Sequence, residues 1–261
     1  MPPQPRQPPG TASHAEAPWL SVVVPLKNEA DNVAMVAEGI ATACADRGPV
    51  EAIFVDDGST DATAERVREV CRRLPMLRLI RHGTSAGQSA AIHTGVAYAR
   101  GDVICTLDGD GQNPPAEIPR LLDRLEGRDF PEGVALIAGQ RTGRQDSHSK
   151  RLASQAANTI RSGLLRDGTR DTGCGLKLIR RDVFLGLPYF DHMHRYLPAL
   201  VARDGWRTVH VDVAHAPRNA GRSNYANLGR AIAGAYDLIG VMWLIRRRKK
   251  ATRAEVTEVR C

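Results

Sequence analysis

The sequence of 261 residues predicts an α/β fold with a central, mostly parallel sheet flanked by helices. Short apolar runs rich in β-branched residues alternate with segments of helical spacing, as they do when helices connect parallel strands. A cluster of polar residues follows four of these runs, and ligands of such sheets bind beyond the carboxyl ends of the strands. The alternation predicts the fold, and the clusters predict one binding edge.

Each element is predicted from its local pattern. The apolar runs that predict strands are 20–26, 50–57, 77–82, 102–108, 135–141 and, further along, 206–213. Helical spacing and helix-starting residues predict helices near 29–44, 60–73, 85–101, 115–127 and 149–165. The segment 169–184 is punctuated by glycines, and no regular element is predicted there.

The charge of the chain indicates an anionic partner. A formal net charge of +7 suits nucleic acid, phosphorylated small molecules or an anionic membrane surface. No run interleaves aromatic and basic residues to form a stacking platform, so we expect no nucleic-acid partner. The five cysteines are scattered and include no Cys-x-x-Cys pair, which argues against a disulfide framework or a zinc site and favours a reducing compartment.

The two ends of the chain differ from its middle. Residues 1–18 are rich in Pro, Gln, Ala and Ser and predict a disordered tail, and 251–261 predict a second tail. No stretch reaches the roughly 20 apolar residues that span a bilayer. Residues 231–250, apolar and then basic, predict a helix lying in a membrane interface. The alternatives are a core helix with a solvated basic end, or a contact between copies of the chain in a homo-oligomer.

The stretch DGDGQ, residues 108–112, directly follows a hydrophobic strand. Its two carboxylates repel each other, and the intervening glycines allow a turn in which Asp108 and Asp110 reach one point. A hard cation such as Mg²⁺ or Mn²⁺ takes one or two carboxylates together with substrate phosphate oxygens. The stretch therefore predicts either a divalent-metal site or, alternatively, an exposed acidic turn.

Six segments carry a more specific signal in combination: PLKNEADN, IFVDDGSTD, SAGQSAAIHTG, TLDGDGQNPP, GQRTGR and DTGCGLK. In this order and spacing they closely resemble family 2 glycosyltransferases, whose GT-A fold is Rossmann-like. Within that family the chain looks like the dolichyl-phosphate-mannose-synthase type, which includes bacterial polyprenyl-phosphate glycosyltransferases. The resemblance covers about residues 20–245, with the transferase domain at 19–230. It implies a metal-dependent, inverting transfer of a sugar from a UDP- or GDP-sugar to a polyprenyl phosphate.

The resemblance also implies roles for individual positions. The nucleotide-sugar donor is expected at Pro25, Asn28, Glu29, Asp56, Asp57, Gly87, Gln88 and Asp108. Mg²⁺ or Mn²⁺ is expected at Asp108, Asp110 and Gln112. The acceptor phosphate is expected at Arg141, Lys177, Arg195, Arg218 and Ser223. The expected catalytic set is Asp108, Asp110, Asp171, Arg141 and Lys177.

The sequence departs from this family at two points. Many relatives carry a basic residue where Gln88 stands, which leaves its contacts with the donor open. Some relatives carry C-terminal transmembrane helices that are not found in this sequence. The expected location is therefore the cytoplasm, with peripheral attachment to the cytoplasmic face of the membrane.

The acceptor decides whether a general base is needed. A lipid phosphate is largely ionised at pH 7, since its second pKa is about 6; it needs cations beside it but no base. A sugar or glycan hydroxyl needs a positioned carboxylate, for which Asp171 is the candidate. A transferase acting on a hydroxyl is thus one alternative, and a nucleotide- or nucleic-acid-binding module without catalysis is another. His192 and His194 lack a nearby third metal ligand and are expected to make loop or acceptor contacts.

Overall fold

A computed structural model of the chain describes residues 17–142, 163–165, 167–216 and 227–247, with side chains from 234 onward in the last range. The predicted N-terminal and C-terminal tails fall almost entirely outside these ranges, as do Arg218 and Ser223. The helix predicted at 149–165 also falls outside them except for 163–165, which are helical.

One mixed sheet organises the described residues. Its strands are β1 (Leu20–Leu26), β2 (Val50–Asp56), β3 (Leu77–Arg81), β4 (Val103–Thr106), β5 (Val134–Arg141), β6 (Lys177–Arg180) and β7 (Arg207–Val213). Their order across the sheet is β3-β2-β1-β4-β6-β5-β7. The helices are α1 (Val33–Ala43), α2 (Thr63–Cys71), α3 (Gln88–Tyr98), α4 (Ile118–Leu122), α5 (Arg181–Gly186), α6 (Leu197–Arg203) and α7 (Asn227–Arg246).

The predicted parallel majority of the sheet is confirmed. β1 runs parallel to β2 and β4, and β2 runs parallel to β3. β6 is antiparallel to both β4 and β5, so β5 has the same direction as β4, and β7 is parallel to β5. The carboxyl ends of β1, β2, β4 and β5 therefore share one edge with the first residue of β6.

Alternate side chains of the strands enter two hydrophobic cores, one on each face of the sheet. Val22 and Val24 of β1 belong to the core under α1, α2 and α4, whereas Val23 belongs to the core under α3, α5 and α6. Because both faces are covered, the inner strands carry nearly continuous apolar runs rather than an alternating pattern. These are the runs by which the strands were predicted.

Prediction and structure differ at two places. β6 lies within the segment 169–184, where no strand was predicted, because a strand of four residues beside glycines has no distinctive pattern of its own. The helix predicted at 115–127 is a 3₁₀ turn, Pro115–Glu117, followed by α4, which ends at Leu122. Beyond it, hydrogen bonds from residue i to residue i−3 tighten the chain into turns.

The C-terminal helix α7 is half buried. Val241 is 1% exposed and lies in the core beneath α6, whereas Tyr236, Ile239 and Trp243 are 73%, 66% and 60% exposed. Within the described ranges, no helix combines the length and apolar character that crossing a bilayer requires.

We expect Gly95→Ala to lower the free energy of unfolding by about 1–3 kcal/mol, the usual cost of overpacking a core. A Cβ on Gly95 of α3 would lie 2.3 Å from Cγ1 of Val23 in β1. Urea unfolding followed by circular dichroism measures the change. Gly240→Ala is the matched control, because a Cβ there meets nothing within 4 Å and alanine favours a helix. Equal losses in both variants would contradict the close packing of α3 on β1.

Candidate active site

The polar clusters meet where the order of the strands reverses. From β1 the chain proceeds outward through β2 and β3, then returns to β4 on the other side of β1. Open α/β sheets bind ligands at such a switch point, beyond the carboxyl ends of the strands. A cleft of about 380 Å³ lies there. It is lined by Gln88, Ile92, Thr106, Asp108, Arg141, Asp171, Thr172, Gly173, Cys174, Gly175, Lys177, His194, Arg195 and Leu197.

Two side-chain amides hold Asp108 in this cleft, and a glycine beside it leaves room for its carboxylate. The Gln88 amide donates to Oδ1 of Asp108 at 2.8 Å, and the Asn113 amide donates to Oδ2 at 2.9 Å. A Cβ on Gly175 would lie 2.3–2.4 Å from the carboxylate, so only glycine allows this approach. Sequence reasoning assigned no role to Asn113 or Gly175, although both lie in quoted segments, Asn113 in TLDGDGQNPP and Gly175 in DTGCGLK.

The charges around Asp108 fit a divalent cation. Burial raises the pKa of Asp108 to about 6, and the charge of Asp110 adds to the rise, while Lys177, Arg141 and the Asn113 hydrogen bond oppose it. A cation with oxygen ligands would relieve the repulsion between the two carboxylates. The described residues contain no group of three or more His, Cys, Asp or Glu able to hold a metal ion. The two carboxylates of Asp108 and Asp110 fit a hard cation such as Mg²⁺, which commonly takes one or two carboxylates together with substrate oxygens.

Gln112, the third predicted metal ligand, links two loops through its backbone. Its N–H donates to Oδ1 of Asp110 at 3.1 Å, and its carbonyl accepts from the N–H of Ala216 at 3.0 Å. The DGDGQ loop is thereby tied to the segment that follows β7. Ligation by the Gln112 side chain stays a prediction.

Arg141 and Asp171 form a two-pronged ion pair. Nε of Arg141 donates to Oδ2 of Asp171 at 2.6 Å, Nη2 donates to Oδ1 at 2.9 Å, and both side chains are 11% exposed. The N–H of Gly173 also donates to Oδ1. Burial alone would raise the pKa of Asp171, but these hydrogen bonds and the charge of Arg141 hold it below its usual value. Asp171 is therefore poorly placed to accept a proton.

Lys177 brings a buried amino group to the centre of the edge. It is the first residue of β6 and pairs with Thr106 of β4 and Ala138 of β5. Its ammonium donates to the carbonyl oxygen of Cys174. Burial lowers the pKa of Lys177, an effect that the negative charge of Asp108 opposes.

The acidic pair after β2 holds two loops. Asp56 accepts from the N–H of Ser59 at 2.9 Å and pairs with Arg81 at 3.0 Å. Asp57 contacts one loop through His82, Ser85, Ala86 and Gly87. Burial would raise the pKa of Asp57, but the hydrogen bonds, led by that from the Ala86 N–H, lower it on balance. Both aspartates thus shape the edge of the sheet beside β1.

The residues after β1 interlock with the loop after β2. Asn28, with a φ of 55°, accepts from the N–H of Thr60 through its side chain and donates its own N–H to Ser59. The N–H of Glu29 donates to the hydroxyl of Thr63 at 2.9 Å. These contacts give Asn28 and Glu29 a local structural role, and their contact with a nucleotide stays a prediction.

The segment 191–196 forms one wall of the cleft. His194 lies 2.7 Å from the hydroxyl of Ser89 through Nδ1. Burial lowers the pKa of His194 to about 3, assisted by the charges of Arg195 and Lys177, so the ring is neutral at neutral pH. The guanidinium of Arg195 has no hydrogen bond or ion pair with any described residue. Sequence reasoning predicted loop or acceptor contacts for His194, and nothing in the sequence indicated its pairing with Ser89.

The structure brings part of the predicted set together. The predicted residues that line one cleft are Gln88, Asp108, Arg141, Asp171, Lys177 and Arg195. Those that lie beside it, at or near the ends of β1, β2 and β4 and at the start of α3, are Pro25, Asn28, Glu29, Asp56, Asp57, Gly87, Asp110 and Gln112.

Sequence comparison identifies the class of this protein. The profile of Glycosyl transferase family 2 matches residues 21–186, and the chain belongs to that family. The undecaprenyl-phosphate 4-deoxy-4-formamido-L-arabinose transferase of Edwardsiella ictaluri is 34% identical over 224 residues, covering 85% of this chain and 67% of the relative. The dodecaprenyl-phosphate galacturonate synthase of Rhizobium johnstonii is 34% identical over 242 residues, covering 91% and 70%. The chain spans about two thirds of the length of these relatives.

Solved structures confirm the GT-A fold. A mannosyltransferase from Pyrobaculum calidifontis, in complex with GDP-Man and Mn²⁺, superposes with a TM-score of 0.65 at 19% identity, covering 90% of this chain and 66% of the other. Glucosyl-3-phosphoglycerate synthase from Mycobacterium tuberculosis, in complex with Mn²⁺, UDP and its product, gives 0.63 at 20% identity, covering 91% and 82%.

We expect Gly175→Ala to reduce glycosyl transfer about 100-fold, the scale of loss that a misplacement of about 1 Å causes. A Cβ at this position would displace the Asp108 carboxylate from its place between the two amides. Steady-state rates and a thermal melt separate loss of activity from loss of fold. Gly186→Ala is the control, because no atom lies within 4 Å of its added Cβ. A fully active Gly175→Ala enzyme would show that the position of Asp108 does not matter.

Proposed function

We propose that this protein transfers a sugar, with inversion at the anomeric carbon, from a UDP- or GDP-sugar to a polyprenyl phosphate. The observation that carries the proposal is the set of charges in the cleft. Arg195 lines it with no hydrogen-bond or ion-pair partner among the described residues, while Asp171 is fully engaged by Arg141. The names of the two bacterial relatives, both polyprenyl-phosphate enzymes, support the same acceptor.

The charges favour a phosphate acceptor over a hydroxyl. Asp108 and Asp171 are the two carboxylates among the residues that line the cleft. Asp171 is occupied by Arg141 and the Gly173 N–H, and Asp108 belongs to the acidic pair proposed for the metal. Neither is free to act as a general base toward a hydroxyl. A phosphate monoester needs no base, because its oxygen already carries negative charge at neutral pH.

The reaction then requires charge compensation rather than proton transfer. A phosphate oxygen of the acceptor forms a bond to the anomeric carbon as the bond from that carbon to the donor diphosphate breaks, and the diphosphate leaves with the bonding electrons. Arg195 offsets the repulsion between the incoming phosphate and the donor. Lys177 lines the same cleft, where burial lowers its pKa and the negative charge of Asp108 opposes that effect.

The metal site belongs to the proposal as well. Asp108 and Asp110, with Gln112 from the same loop, would hold Mg²⁺ or Mn²⁺. When bound, the ion neutralises negative charge that develops on the leaving diphosphate. The Mn²⁺ in two solved structures of the same fold supports a divalent cation, whereas the choice of these residues depends on the acidic pair itself.

Transfer assays with defined donors and acceptors test the proposal. Purified protein, Mn²⁺ or Mg²⁺, a panel of UDP- and GDP-sugars and a short polyprenyl phosphate are expected to yield one lipid-linked sugar. Chelation by EDTA is expected to abolish the product, and added Mn²⁺ to restore it. Product with a glycan hydroxyl but not with polyprenyl phosphate would favour the alternative acceptor, and no product with any donor would refute the proposal.

Within the same assay, Arg195→Ala is expected to raise the KM for polyprenyl phosphate about 10- to 100-fold, because a hydrogen bond to a charged group contributes about 1.5–3 kcal/mol. The KM for the donor is expected to change little. Arg124→Ala, which removes an exposed arginine outside the cleft lining, is the matched control. An equal rise in the KM values for donor and acceptor would contradict a specific role of Arg195 in binding the acceptor.

The proposal also locates the enzyme at the cytoplasmic face of the membrane, attached peripherally. Tyr236, Ile239 and Trp243 form an exposed stripe at helical spacing along α7, and Arg246 follows on the exposed surface. An amphipathic helix with aromatic and basic residues suits the interface of an anionic membrane. A lipid acceptor would then reach the enzyme from the surface on which α7 lies.

We expect Trp243→Ala to weaken sedimentation with vesicles of phosphatidylglycerol and phosphatidylcholine, because an exposed apolar side chain leaves the interface. Wild-type binding is expected to fall with added salt and to be weaker with phosphatidylcholine alone. Tyr98→Ala, which removes a 56% exposed aromatic side chain from α3, is the control. Loss of vesicle binding in both variants, or in neither, would contradict attachment through α7.

A further inference from the structure

We infer that Asp237 of α7 is a positioning residue for the cleft. Through His192 it holds the segment 191–196 in the conformation that places His194 and Arg195 in the cleft wall. The structural part of this inference stands on contacts alone, whereas its effect on the acceptor rests on the proposed function.

The C-terminal helix contacts the segment at both ends. Nδ1 of His192 lies 3.0 Å from Oδ2 of Asp237, and these side chains are 35% and 22% exposed. The hydroxyl of Tyr196 donates to the carbonyl oxygen of Gly234 at 3.3 Å. Both contacts reach α7 from the residues that flank His194 and Arg195 in sequence.

The other side of the segment meets the beginning of α3. His194 contacts the hydroxyl of Ser89, and Oδ1 of Asp191 lies 3.5 Å from the position that a Cβ on Gly87 would take. The segment therefore bridges α3, which borders the donor side of the cleft, and α7, which carries the exposed apolar stripe. A shift of α7 would be transmitted to the cleft wall through these contacts.

The backbone of the segment needs such support. His192 has a φ of 64°, in the left-handed region, which non-glycine residues seldom adopt and which persists where surrounding contacts hold it. One 3₁₀ turn follows, in which the N–H of Arg195 donates to the carbonyl of His192 and that of Tyr196 to the carbonyl of Met193. The pair of His192 with Asp237 fixes the residue at which this turn begins.

This arrangement separates acceptor binding from donor binding. Asp56 and Asp57 are held by loops of their own, which α7 does not contact through any described hydrogen bond or ion pair. The position of Arg195, in contrast, depends on the conformation of His192, because the N–H of Arg195 donates to the carbonyl of His192. Loss of the Asp237 contact therefore weakens acceptor binding and leaves nucleotide binding intact.

Hydrogen exchange and kinetics of Asp237→Ala test the inference. Amides of residues 191–196 are expected to exchange about three- to tenfold faster, and the KM for polyprenyl phosphate to rise about three- to tenfold, the range that one partly buried hydrogen bond supports. Binding of UDP or GDP with Mn²⁺, measured by calorimetry, is expected to stay unchanged. Asp237→Asn retains an oxygen that can accept from His192 and is expected to restore most of the protection.

A second pair of variants isolates the contact itself. His192→Gly permits the left-handed backbone but removes both the contact with Asp237 and that of Nε2 with Asp191 at 3.7 Å, so its effect is expected to be at least that of Asp237→Ala. The double variant is expected to be no worse than His192→Gly alone, because that variant already removes the contact with Asp237. Asp123→Ala, which removes the partner of Arg47 at 2.9 Å, is the control for the loss of a surface carboxylate.

The outcomes distinguish this inference from the proposed function. Unchanged exchange at 191–196 in Asp237→Ala, or an equal loss of nucleotide and acceptor binding, would overturn the positioning role. Absence of transfer to polyprenyl phosphate by the wild-type protein would overturn the proposed function, and the exchange data would still decide whether Asp237 holds the segment.

Discussion

The insertion of β6 between β4 and β5 is the constraint on which the cleft depends. It places Lys177 opposite Thr106, two residues before Asp108, and opposite Ala138, in the middle of β5. The hydroxyl of Thr106 donates to the carbonyl of Gly175 at 2.6 Å. This hydrogen bond holds the residues just before β6 against β4. A side chain at position 175 would clash with the carboxylate of Asp108, so the acidic loop and the residues before β6 could not lie this close together.

The charges around this insertion divide into engaged and available groups. Arg141 and Asp171 neutralise each other, and Lys177 is held by a carbonyl oxygen in the floor of the cleft. Arg195 has no hydrogen-bond or ion-pair partner among the described residues, and it lines the same cleft as Asp108. Such a cleft suits the ligands proposed above, a metal-bound diphosphate and a phosphate acceptor.

Local patterns were sufficient for much of the fold. The run LSVVVPL is a strand over the predicted residues, because a strand buried on both faces has to be apolar throughout. The cluster of polar loops at one edge also followed from the sequence, since parallel strands end on the same side. β6 was missed because its four residues pair with strands distant in sequence, and α4 is shorter than its pattern because the chain beyond Leu122 closes into turns.

The sequence by itself determined the fold class, the edge at which the polar loops gather and the membership of a glycosyltransferase family, because these follow from periodicity and from short motifs. The tertiary structure decided which charges are free. Asp171 and Arg195 are both charged in sequence, yet Asp171 is bound in an ion pair, whereas Arg195 has no ion-pair partner among the residues that the structure describes. Likewise, the closeness of His192 to Asp237 depends on how α7 packs against α6 and the core. Residues that lie far apart along the chain acquire their pKa values and roles from such packing, which no local pattern records.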